Sequence, residues 1–151
     1  MDYELFIFST YDAQEIGKTL VDLVRNVLKK DVVYKVIENE YIYIGCGLFG
    51  MNIEIEDVSD LEFIRNDCEI DVNLCISIQV SSREPDQGIN ELFKIIIEFM
   101  KYNKGNVLLL ANGSEQVLRR DNQLLILNEE IDYIPYEEFD ISYRKEKLRI
   151  I

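Results

Sequence analysis

The sequence predicts an α+β fold in two layers, a mostly antiparallel sheet with two helices packed on one of its faces. Three observations carry that expectation. Two segments place apolar residues at helical spacing. Two others alternate apolar and polar residues strictly, the mark of a strand with one side on a core and the other in water. The element order reads strand, helix, four strands, helix, three strands, so two apolar stripes must cover one sheet.

Taken in order, Tyr3 to Ser9 (YELFIFS) reads as a strand. Asp12 then stands as an N-cap with Glu15 three residues on, an acidic form of the capping box. The helix behind it aligns Ile16, Leu20, Leu23, Val24, Val27 and Leu28 on one stripe, and Lys29 and Lys30 suit the negative end of its dipole. Val32 to Glu38 and Tyr41 to Cys46 read as strands joined at Asn39-Glu40. The glycine-rich GCGLFG that follows lacks the lysine and the helix start of a phosphate loop, so it reads as a bulge or turn.

Met51, Ile53 and Ile55 point one way, and Asn52, Glu54 and Glu56 the other. Glu69 to Val80 repeats the pattern over a longer strand, with Ile70, Val72, Leu74, Ile76, Ile78 and Val80 on its apolar side. A second helix runs from Asp86 to Tyr102, and Asn103-Lys104-Gly105 ends it. Three strands close the pattern: Val107 to Ala111, Glu115 to Arg120 and Gln123 to Asn128. Asn112-Gly113 between the first two is a hairpin turn, since both residues tolerate positive φ. VLLLA and LLIL do not alternate, which predicts that both their faces are covered. Residues 1–151 are expected to form one domain, with 131–151 as a C-terminal tail packed on it.

Composition narrows the function classes. There is no histidine among the 151 residues, so Ser-His-Asp and Cys-His chemistry is excluded, and a general base would have to be a carboxylate or lysine of shifted pKa. The expectation is a protein that is not an enzyme and takes no cofactor. Cys46, Cys68 and Cys75 are odd in number and lack C-x-x-C spacing, which suits reduced thiols in the cytoplasm rather than a zinc site. No apolar run approaches a membrane span, and the acidic N-terminus lacks the basic region of a secretory signal. Net charge is −13, from 29 acids and 16 bases. That field repels nucleic acid and anionic lipid and attracts basic partners.

The acids cluster. Glu54, Glu56, Asp57, Asp60, Glu62, Asp67, Glu69 and Asp71 are opposed only by Arg65. If the two alternating strands are neighbours, their carboxylates share one solvent face, where like charges oppose folding. Three readings stay open: a docking surface for a basic partner, a solvated face and loop, or a carboxylate metal site without the glycine turn such loops use. The candidate contact residues are Glu54, Glu56, Asp57, Asp60, Glu69 and Asp71, joined by Tyr133 and Tyr136 of the tail, whose aromatics among charges suit either an interface or packing back on the sheet. Arg119-Arg120 reads as solvated salt-bridging.

From Gly88 to Asn128 the sequence resembles the bacterial polymorphic-toxin immunity proteins of the swarming-inhibition type: a helix, a strand ending in Asn112-Gly113, then Leu118-Arg119-Arg120 and Leu124 to Asn128 in the two strands after it. The earlier elements are compatible in order. The resemblance implies a small cytoplasmic protein that binds and neutralises a cognate toxin domain, expected here to be basic. The acidity and the tail from Ile131 to Ile151 depart from the family pattern. A non-enzymatic homo-oligomer (a homodimer) and a carboxylate metal-dependent enzyme remain as alternatives.

Overall fold

The computed structural model describes residues 1–55 and 59–151. Among the described residues nine strands form one sheet: β1 (Asp2–Ile7), β2 (Val33–Ile37), β3 (Tyr41–Gly45), β4 (Phe49–Glu54), β5 (Leu74–Val80), β6 (Val107–Ala111), β7 (Glu115–Asp121), β8 (Leu124–Asn128) and β9 (Arg144–Glu146). Their order is β2-β3-β4-β5-β1-β6-β7-β8-β9, antiparallel throughout except for β8 against β9. The α+β class and the mostly antiparallel sheet are as the periodicities predict.

Helices α1 (Ala13–Leu23) and α3 (Pro85–Tyr102) lie on one face. Asp12 caps α1, its carboxylate accepting from Glu15 N at 2.9 Å. Ile16, Leu20, Val24, Leu92, Phe93, Ile96 and Phe99 meet the inner face of the sheet, where Tyr3, Leu5, Ile7, Ile42, Met51, Ile76 and Leu109 are buried. The continuation of α1 over Val24–Leu28 is a π-turn that ends with Lys29 in the left-handed region at φ 56°. Widening the helix there rotates its stripe, which is why Val27, on the expected stripe, is exposed.

A third helix, α2 (Ser59–Asp67), lies outside the expected pattern and packs on the opposite face. Its Leu61 and Ile64, with Cys68, Ile70 and Val72 just after it, cover Phe6, Cys75, Leu108 and Leu110. This second layer explains VLLLA: Val107, Leu109 and Ala111 face one core, and Leu108 and Leu110 the other. In β8 the expectation of two covered faces fails at Leu124, which is exposed.

Two further readings change. The strand expected from Glu69 begins only at Leu74. Glu69 has φ 51°, which turns the chain out of the ladder, and Asn73 clamps the new path by donating to Ser9 O at 2.8 Å and accepting from Ser9 N at 3.0 Å. Arg120 is not solvated. It is buried and donates to the carbonyls of Met100 (2.8 Å), Asn103 and Gly105 (Nε, 3.1 Å), closing the C-terminus of α3. Burial lowers its pKa, and the converging carbonyls are the compensation a buried cation requires. Asn112 and Gly113 form the expected hairpin turn at φ 50° and 79°.

Residues after β8 fold back on the molecule. Ile131, Ile134 and Phe139 are buried in the inner core, with Phe139 edge-on to Phe93 at 6.3 Å between ring centres. β9 then joins the sheet edge, and Ile151 N donates to Ser114 O at 3.0 Å.

Candidate protein-binding surface

The layer made by α2 is narrower than the sheet. It covers Phe6 and Cys75, but towards Asp2 and Gln79, and across β4 to β3, the outer face stays open. Strand register builds that open floor. Tyr43 stands opposite Asn52, Asn52 opposite Ser77 and Ser77 opposite Glu4. In the next row Gly45 stands opposite Gly50, Gly50 opposite Gln79 and Gln79 opposite Asp2. With Asp31, Val33 and Asn112 these positions line a groove of about 1180 Å³.

The glycines of GCGLFG shape it. A Cβ on Gly45 would stand 2.7 Å from Tyr43 Oη, and one on Gly50 3.1 Å from the same atom. The Tyr43 ring therefore rests against the glycine pair, and a side chain at either position would push it into the groove. Between them the chain reverses, with Cys46 N donating to Phe49 O at 3.1 Å and Gly47 at φ 88°. The turn expected from the sequence is present, and its flanking glycines serve the sheet face.

Asp2, Glu4 and Asp31 make the groove acidic. Its described lining holds no lysine or arginine, and its one cation is the amino terminus, which donates to Val80 O at 3.4 Å. Asn52 Oδ1 is buried at the floor with no donor among the described residues. A concave wall in which acids outnumber cations focuses a negative potential towards whatever approaches it.

The acids picked from the sequence do not assemble as expected. β4 and β5 are neighbours, but their antiparallel register pairs Ile53 with Ile76, so Glu54 lies at the end of the ladder. Ser77 Oγ donates to Glu54 Oε1 at 3.5 Å, and Glu54 belongs to the outer face beside Asn52. Glu69 and Asp71 precede β5 and are exposed elsewhere, Asp71 O accepting from Asn106 Nδ2 at 3.2 Å near the start of β6. Glu54 therefore shares no strand ladder with them. Asp60 lies on α2. Glu56, Asp57 and the side chain of Asp60 lie outside the described residues.

Tyr133 and Tyr136 turn inward. The Tyr133 hydroxyl is buried facing that of Tyr3, neither in a well-formed hydrogen bond. Burial raises both phenols, Tyr3 further through the Tyr133 hydroxyl beside it. Tyr136 Oη points at Asn128 O (2.8 Å) and Ile131 O (3.1 Å), with Lys145 Nζ 4.1 Å from its ring centre. Both tyrosines fasten the tail to the sheet.

Cys46, Cys68 and Cys75 are all buried. Burial pushes Cys46 up to about 11 and raises Cys68, so both stay protonated near neutral pH, whereas the thiolate is the nucleophile and metal ligand. Among the described residues no group of three or more His, Cys, Asp or Glu is placed to hold a metal ion, and no helix is long and apolar enough to cross a membrane.

Sequence reasoning missed Asp2, Glu4 and Asp31. Asp2 and Glu4 do alternate with Tyr3 and Leu5, but only the central position of β1 gathers them with residues of β3, β4 and β5. No family model matches the chain, and no curated protein matches it.

Proposed function

We propose that this protein binds and neutralises a basic toxin domain in the cytoplasm without chemistry of its own, by laying an acidic face over the toxin's active or substrate-binding surface. The observation that carries the reading is the acid-lined groove on the outer face of β1, β3, β4 and β5, backed by the core under α1 and α3. A cationic site built to hold nucleic acid or another anion is complementary to such a wall, and complementary fields raise association rates. The net charge of −13 acts in the same direction, and the resemblance in Gly88 to Asn128 agrees with this role.

The test is co-purification with the product of the neighbouring gene, which this reading expects to be a basic toxin domain. Reversal of Asp2, Glu4 and Glu54 to lysine together should slow association at least about tenfold at low salt, with the melting temperature little changed. Unaltered association kinetics would place the contact elsewhere and end this reading.

A further inference from the structure

The edge strand β2 (VYKVI) is exposed at all five residues, with Val33 at 52% and Val36 at 44% of full exposure. Among the described residues its only ladder is to β3, so one row of its backbone N–H and C=O groups meets no described strand. Register divides its side chains: Tyr34 and Val36 lie on the helix side, opposite Ile44 and Ile42, while Val33, Lys35 and Ile37 lie on the groove side. Tyr34 is braced against α1, its ring 3.5 Å from where a Cβ on Gly17 would be. An edge of four apolar residues with open backbone groups is a template for another strand.

We propose that β2 accepts an extended segment of a basic partner as a tenth strand, and that Lys35 selects an acidic residue at the centre of that segment. A second copy of this chain fits poorly. Full antiparallel overlap of β2 with itself would set Lys35 opposite Lys35, and like charges directly opposed destabilise a strand pair. Each copy also carries −13. The end of β2 beyond Ile37 is acidic instead, with Glu38 and Glu40, whereas before it Asp31 follows Lys29 and Lys30, the latter paired with Glu91 at 2.8 Å. The complementary segment therefore has apolar β-formers about a central carboxylate and lysine or arginine at the end that meets Glu38 and Glu40. Asp31 and Val33 also line the acidic groove, so strand and groove present one continuous surface.

This inference rests on the protein-binding role proposed above but uses different residues. The probe is a labelled peptide of alternating valine and threonine with a central glutamate and one lysine-rich end. It should bind the full chain and protect the amides of Val33–Ile37 from hydrogen exchange. Lys35→Glu should weaken that binding at least about tenfold and favour the same peptide with a central lysine. The outer-face reversal at Asp2, Glu4 and Glu54 should leave the glutamate-over-lysine preference intact, which separates failure here from failure of the toxin-binding role. No binding, equal binding of a scrambled peptide, or no exchange of preference in Lys35→Glu would overturn the proposal. So would a wild-type dimer in solution whose β2 amides are protected without peptide.

Discussion

The two edges of the sheet are finished in opposite ways. At one end β9 is three residues long, Arg144–Glu146, charged at every position, and followed by a chain that returns to Ser114 and Glu115. At the other end β2 is five residues long and apolar except for Lys35. Short, charged and covered edges resist pairing with other chains, and long apolar ones invite it. The contrast extends inward. The β9 side is held by buried polar groups: Asn128 Nδ2 donates to Gln116 O at 2.7 Å, its Oδ1 accepts from Glu130 N at 3.0 Å, and Arg120 closes the end of α3. The β2 side relies on its ladder and on Tyr34 against α1. One edge is built for closure, and the other leaves a single lysine to govern what pairs with it.

Four experiments would break or sharpen this contrast, from the largest expected effect down. Arg120→Met strips charged donors from buried carbonyls and should lower unfolding free energy by about 3 kcal/mol in urea titrations. Asn128→Ala removes the polar junction beneath the tail and should cost about 2 kcal/mol, with residues 129–151 becoming protease-sensitive before global unfolding. Tyr136→Phe deletes one hydroxyl and should cost about 1 kcal/mol by the same titration. Val36→Thr at the open edge should change stability by less than about 0.5 kcal/mol while weakening peptide binding several-fold by fluorescence anisotropy. A Val36→Thr loss as large as that of Asn128→Ala would erase the distinction between a structural edge and a recognition edge.

The tail also has a pH-dependent tie. Lys101 Nζ lies 2.6 Å from Asp140 Oδ2, and the contact raises the lysine and lowers the aspartate. The aspartate's share is present above its unfolded value of 3.8 and is lost as pH falls through the lower folded value. The lysine's share is present below 10.5 and is lost as pH rises through the higher folded value. Both groups are solvated, so the effect should be the smallest here, visible as an acid-limb shift of Asp140 by NMR that Lys101→Met abolishes.

How far the residues could be read depended on where their signal lay. α3 announced itself because Ile89, Leu92, Phe93, Ile96 and Met100 repeat over a long helix. α2 did not, since Leu61 and Ile64 are one short apolar pair among acids, and Phe63, the most conspicuous apolar residue there, is exposed. The acidic face was misplaced for a related reason. Alternation assigns Glu69 and Asp71 to a side of a strand, but the positive φ of Glu69 and the Asn73 clamp remove them from the strand. Arg120 looked like any surface arginine, because the carbonyls that receive it come from residues 15 to 20 positions earlier.

Periodicity and turn chemistry by themselves determined the α+β class, the Asn112-Gly113 hairpin, the Asp12 cap and the doubly covered β6, because each depends on residues close together in the chain. Tertiary structure alone decided that β1 lies at the centre, that Asp2 and Glu4 share a groove with Tyr43 and Gln79, and that β2 is an open edge. Those outcomes depend on strand order and register, which unite residues distant in sequence, and local pattern is nearly the same for every order the strands could take.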